Sequence, residues 1–145
     1  MSERDTNLDT INEIYRNANV ALLSISNVLP EVVDVELKKE ILEEYEGYEK
    51  FIGEISAYMT EKGYEPKEVG AFKKMMMSSG IKMNTAMDNT ESNIAQIMVK
   101  GTVMGITELC KIINNDTCTD KKIIEFAEKL KTLEESYEEK LKKFL

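Results

Sequence analysis

The sequence predicts an all-α protein: four helices in up-down-down-up order, with a long, partly helical crossover between the second and third. Three observations predict it. Apolar residues recur at alternating steps of three and four along most of the 145 residues. Only two prolines and seven glycines interrupt them, beside nine methionines. The strongest helix stops, Pro30 and the run Lys62-Gly63 ahead of Pro66, fall where long helices must turn back.

The first helix is written by Leu8, Ile11, Tyr15, Ala18, Leu22, Ile25 and Leu29, with Ile14, Ala21 and Val28 widening the stripe to a bundle face. Thr6 and Asp9 fit a capping pair at its start, and Pro30 stops it. The opposite face, Asn12, Glu13, Arg16, Asn17, Asn19 and Asn27, is expected in water. A short turn leads to Asp34, an N-cap for the second helix. That helix carries a stripe of Ile41, Tyr45, Tyr48, Ile52, Ile55 and Met59, beside a column of Leu37, Glu44, Phe51 and Tyr58. Gly63 ends it in the left-handed conformation that glycine adopts without strain. So short a link makes the first two helices an antiparallel hairpin.

The middle of the chain is poor in charge. Between Met75 and Thr107 only Lys82, Asp88, Glu91 and Lys100 are ionised, and Met75, Met76, Met77, Met83, Met87, Met98 and Met104 gather there. Breaks at Ser78-Ser79-Gly80 and Asp88-Asn89-Thr90 predict a crossover with helical pieces over 67–87, then a third helix from about Thr90 to Asn114. Asp88 and Glu91 have capping-box spacing. The fourth helix, capped by Thr117 or Thr119, runs through Ile123, Ala127, Leu130, Glu134, Tyr137, Leu141 and Phe144, broadened by Phe126 and Leu133. Two hairpins joined by one long connection are the ferritin-like topology.

Composition excludes several classes. With 42% hydrophobic and 32% charged residues, one globular domain over residues 1–145 is expected. A net charge of −8 argues against nucleic acid, whose binding needs clustered Lys and Arg, and against an anionic membrane surface. The first residues lack the apolar core of a signal peptide, and no stretch approaches the ~18 apolar residues of a membrane span. A cytoplasmic protein with two free thiols, Cys110 and Cys118, is expected. The chain has no histidine. Serine–histidine catalysis therefore fails, and neither a phosphate-binding loop nor a zinc spacing is present, so a non-enzymatic protein is expected.

Three stretches resemble small uncharacterised ferritin-like proteins of clostridia and related bacteria. They are Glu61-Lys62-Gly63-Tyr64-Glu65-Pro66, then Met77-Ser78-Ser79-Gly80-Ile81-Lys82-Met83-Asn84-Thr85, and Ser92-Asn93-Ile94-Ala95-Gln96-Ile97-Met98 continuing through Lys100-Gly101-Thr102-Val103-Met104-Gly105-Ile106. The resemblance implies the bundle fold over nearly the whole chain and no assigned activity. It also implies His and Glu at the places where Asn93 and Gln96 stand here, so the chain departs from that ligand pair.

The candidate site rests on Glu44 and Glu134, which fall in apolar columns of antiparallel helices at similar depth, given ~1.5 Å of rise per residue. Two carboxylates facing each other in a dry core hold a divalent metal or share a proton, and Glu91 and Glu108 on the third helix add oxygen ligands. Glu134-x-x-Tyr137 even has the spacing of the Glu-x-x-His pair of di-iron bundles, though tyrosine is a poor ligand. The ordinary alternative is that hydroxyls of Tyr15, Tyr45, Tyr48 or Tyr137 satisfy the two acids, or that they lie partly in water. Gly101-x-x-x-Gly105 reads as a groove for a bulky neighbour such as a tyrosine. Cys110 is expected among core residues, and Cys118 in a polar turn without a cation to activate it.

Two functions follow as expectations. The first is a non-catalytic interaction or structural module without cofactor, self-associating as a homo-oligomer through the methionine-rich crossover and third helix. The second is a carboxylate-only protein binding iron, manganese or calcium at Glu44, Glu134, Glu91 and Glu108.

Overall fold

A computed structural model describes residues 2–66 and 89–145 of the chain. The expected crossover over 67–87, its methionines and Asp88 lie outside the described residues. Among the described residues there are four α-helices: α1 (Glu3–Val28), α2 (Val35–Lys62), α3 (Glu91–Asn114) and α4 (Lys121–Lys142).

Each helix begins on a side-chain cap. For α1 the cap is Ser2, one turn ahead of the expected Thr6 and Asp9. Its hydroxyl accepts from the Asp5 amide at 3.1 Å, while the Asp5 carboxylate accepts from the Ser2 amide at 3.4 Å. Thr6 instead lies inside the helix and donates its hydroxyl back to the Ser2 carbonyl. Ser2-x-x-Asp5 has the same spacing one turn ahead of Thr6-x-x-Asp9, and Glu3 and Asp5 suit the positive end of the helix. Pro30 falls in a 3-10 turn, Leu29–Glu31, that closes α1 as expected.

Asp34 caps α2 through the Leu37 amide at 2.8 Å. At the other end Gly63 takes φ 69°, with its amide on Thr60 O and the Tyr64 amide on Met59 O, the paired bonds of a Schellman motif. Thr90 caps α3. Asp120, in place of Thr117 or Thr119, caps α4 through the Lys122 amide. Thr119 is engaged elsewhere: its hydroxyl accepts from Asn7 Nδ2 at 3.0 Å and its amide donates to Asn7 Oδ1 at 3.1 Å.

Side-chain pairs fix the helix directions. Arg4 Nη2 donates to Gly63 O at 2.7 Å, tying the start of α1 to the end of α2. Asn7 meets Thr119 and Asn17 meets Gly105, so α1 runs against α3. Tyr58 meets Asp120 and Tyr48 meets Glu134, so α2 runs against α4. The order is up-down-down-up.

The core holds the residues the periodicity selects, with Ile11, Ile41, Ile55, Ile123, Leu130 and Leu141 fully buried. Each such side chain contributes roughly 1.5–3 kcal/mol by leaving water. One face departs from expectation. Asn12, Asn17 and Asn19 are buried, because α1 packs against all the other helices and has no broad solvent side. Burial is tolerated because each amide finds a carbonyl: Asn12 donates to Glu65 O, Asn17 to Gly105 O and Asn19 to Tyr15 O. Glu13 and Asn27 remain exposed.

Candidate functional site

All four helices contribute a polar group near mid-bundle. From α4, Glu134 points inward at 1% exposure. Tyr48 of α2 donates its hydroxyl to Glu134 Oε2 at 3.2 Å. On α3, Gly105 lies against the same carboxyl: a Cβ there would stand 2.6 Å from Oε1. From α1, Asn17 Nδ2 donates to Gly105 O at 3.0 Å and, at 3.4 Å, to Glu108 Oε2. Burial raises the Glu134 carboxyl to about 8; the Tyr48 hydrogen bond works downward and the Glu108 charge upward.

Glu44 is equally buried, at 1% exposure, and belongs to a neighbouring cluster. Burial raises it to about 10, the neighbouring Glu40 carboxyl one turn back adds to the rise, and the Lys140 charge opposes it. Both shifts favour the protonated carboxyl at neutral pH. The rings of Tyr48 and Tyr137 pack 5.4 Å apart, and both phenols feel Glu44 and Glu134 and are pushed up, chiefly by burial.

Only part of the expected quartet comes together. Glu108 is exposed; its Oε2 accepts from Asn17, and its charge adds to the burial that raises the Glu134 carboxyl. Glu91 stands exposed in the first turn of α3, on the order of 25 Å along the helix from Glu108 at ~1.5 Å per residue. Asn93 and Gln96 share that distant end, and the Asn93 amide bonds the Thr90 cap. Among the described residues no three acidic or thiol side chains converge as a metal cluster.

Nor do these residues fit the two-metal set of helical bundles. That set needs Glu-x-x-His on two helices, with a glutamate from each of the others. Here the third place after Glu44 is Gly47 and the third after Glu134 is Tyr137, while α1 and α3 bring Asn17 and Gly105 to the centre. Four side-chain oxygens are buried without a hydrogen-bond partner among the described residues: Asn17 Oδ1, Glu40 Oε2, Glu44 Oε2 and Glu134 Oε1.

The glycine groove is half as expected. Gly105 does receive a neighbour, but it is the Glu134 carboxyl and not a tyrosine; among the described residues nothing lies within 4 Å of a Cβ at Gly101. The tyrosine instead uses Gly47, where an added Cβ would overlap the Tyr137 hydroxyl. Sequence reasoning missed that contact. A signal existed: a glycine in mid-helix costs ~1 kcal/mol against alanine, so it calls for a packing reason. Cys118 also departs from expectation, being buried in the α3–α4 turn at 3% exposure. Cys110 is half-buried on α3.

No protein-family model matches the chain, and no curated protein does. A solved structure described as a dodecameric thioferritin, the bacterioferritin-related protein from Bacteroides fragilis, matches with a TM-score of 0.77 at 15% identity. The match covers 99% of this chain and 86% of that one. The helix order, the antiparallel pairings and this likeness agree: the chain is a ferritin-like four-helix bundle.

Proposed function

We propose that this protein is a single-domain, non-enzymatic interaction module of the cytoplasm that self-associates through the outer face of α3. The observation that carries the reading is an imbalance in that helix. It is the most apolar of the four, yet only Ile94, Ala95 and Leu109 are fully buried on it. Val103 and Met104 stand 42% and 69% exposed. The thioferritin of like fold is described as a dodecamer, which supports assembly in general. Kinship with the clostridial ferritin-like proteins belongs to the same proposal. Among the described residues no helix is long and apolar enough to cross a membrane.

The face also has a self-complementary charge pattern. Lys100, Met104 and Glu108 are four residues apart on one exposed stripe. Two copies of α3 crossing antiparallel at Met104 about a two-fold axis place Lys100 of each opposite Glu108 of the other. Sedimentation of the full chain tests this. Wild type is expected to associate; Met104→Glu and Lys100→Glu are expected to sediment as monomers, and Lys100→Glu with Glu108→Lys to recover association. A wild type that stays monomeric at every concentration removes the reading.

A carboxylate-held iron, manganese or calcium ion is the rival reading, and the buried unpartnered oxygens of Glu44 and Glu134 favour it. Elemental analysis of protein purified without chelator decides between them.

A further inference from the structure

The two departures from the Glu-x-x-His pattern are complementary. On the antiparallel pair α2 and α4, Glu44-x-x-Gly47 stands opposite Glu134-x-x-Tyr137. The third place after Glu44 carries no side chain, and the third after Glu134 carries a large one that enters the space. The fit is tight enough that residue 47 accepts no Cβ while the Tyr137 hydroxyl is there; the ring carbon bearing that hydroxyl would lie 3.1 Å from such a Cβ. One turn away the arrangement repeats with different partners, because the Glu134 carboxyl occupies the hollow of Gly105, with its Cδ 3.3 Å from an added Cβ.

We infer that these two plug-and-notch contacts close the bundle centre to metal: α4 inserts Tyr137 into Gly47 of α2 and Glu134 into Gly105 of α3, replacing ligation by interlocked polar packing. A metal bound between α2 and α4 needs carboxylate oxygens converging at ~2.0–2.2 Å and further donors to complete its shell. The carboxyls here have separate neighbours instead. Glu44 is acted on by Glu40 and Lys140, Glu134 by Tyr48 and Glu108. The Tyr137 ring packs on Tyr48, and its phenol is raised by burial and by the charges of both acids. The phenol offers a protonated oxygen where the two-metal set has an imidazole nitrogen, and the glycine offers none. This conclusion goes beyond self-association and is independent of it, since it concerns the inside of each bundle.

Two measurements test it. The first is equilibrium dialysis of the full-length protein against ferrous ion without oxygen, and against manganous ion, with elemental analysis of the retained metal. Wild type is expected to hold less than a tenth of an equivalent at tens of micromolar metal. One or two equivalents held by wild type and lost in Glu134→Gln overturns the inference and revives the rival reading, while leaving the sedimentation result untouched. The second is a thermal double-mutant cycle on the notch. Gly47→Ala is expected to lower the melting temperature by about 5 °C or more, or to prevent folding. Adding Tyr137→Phe removes the overlapping hydroxyl and is expected to restore folding and at least half of that loss. A Gly47→Ala protein that melts with wild type, or a double variant no better than the single, overturns it equally.

Discussion

The Tyr48 hydroxyl and the Glu134 carboxyl, on antiparallel helices, form a hydrogen bond of 3.2 Å between two nearly water-free side chains. The bond gives Glu134 a partner on one oxygen while Gly105 makes room for the other. A buried carboxyl without a positive partner destabilises a fold, and the tyrosine reduces that penalty without removing it. It lowers the cost of burying the acid without supplying a positive charge that would ionise it.

Tyr48→Phe removes the only hydroxyl hydrogen-bonded to Glu134 among the described residues. The ring keeps its contact with Tyr137, so little packing is lost. What remains is an acceptor buried without a donor, which costs about 1–3 kcal/mol. Urea unfolding at pH 7 is expected to show that loss, and Tyr48→Phe combined with Glu134→Leu is expected to show less. Equal stability of Tyr48→Phe and wild type would mean that the bond contributes nothing net.

Burial of Glu134 and Glu44 fixes a direction for the pH dependence. In the fold their carboxyls titrate at about 8 and about 10, against 4.5 when free. Below pH 4.5 both the folded and unfolded states hold these protons, so neither acid penalises folding. Above it the unfolded chain ionises while the fold keeps its protons, and stability falls, until about pH 8 for Glu134 and about pH 10 for Glu44. Each acid then costs on the order of 3 kcal/mol at pH 7, from a shift of a few units at 1.36 kcal/mol each. Glu44→Gln is accordingly expected to match wild type near pH 4.5 and to exceed it at pH 8. Parallel stability curves for the two proteins across that range would refute the assignment.

The fold was legible because a bundle repeats one instruction many times. The columns through Ile11, Ile41, Ile55, Ile123 and Leu130 all became core, and Asp34 and Gly63 are end signals whose chemistry is local. The same periodicity pointed to Glu44 and Glu134 as inward, since an acid in an apolar column must be buried with its neighbours. Other features depended on which helix lies beside which. Nothing within α1 says that Asn12 and Asn17 are covered, because their partners, Glu65 and Gly105, are distant in sequence. Likewise the value of Gly47 lies in Tyr137, ninety residues away, and the cap of α4 moved to Asp120 because Asn7 occupies Thr119. Periodicity assigns a face; it does not name what lies opposite.

Asp120 joins three elements at the far end of the bundle. Its Oδ1 caps α4 through the Lys122 amide, and its Oδ2 accepts from Tyr58 at 2.7 Å and Tyr64 at 3.0 Å. Burial, then the bond to Asp120, pushes both phenols upward. Asp120→Ala removes the cap and strands two hydroxyls, a loss of about 2–4 kcal/mol when the two effects are combined. Asp120→Asn keeps a carbonyl that accepts from the tyrosines, and is expected to retain more than half of that stability. Thermal unfolding of the two variants beside wild type reads the difference; equal losses would show that the cap and tyrosine bonds depend on charge alone.

The two thiols differ in setting, and their reactivity follows. Cys118 is 3% exposed, and burial raises its thiol above the ordinary range; Thr10 and the Lys121 charge work against that rise, the Asp116 and Asp120 charges with it. Since the thiolate is the reactive form, both access and ionisation protect this residue. Cys110 lies half-buried on α3 and keeps a path to reagent. A charged disulfide reagent added to native protein at pH 8 is therefore expected to label one thiol per chain quickly and the second only as fast as the protein opens. In denaturant the two should react alike. Cys110→Ser is expected to abolish the fast phase and Cys118→Ser to leave it intact; fast labelling that survives in Cys110→Ser would place Cys118 in water and contradict its packing among the core residues.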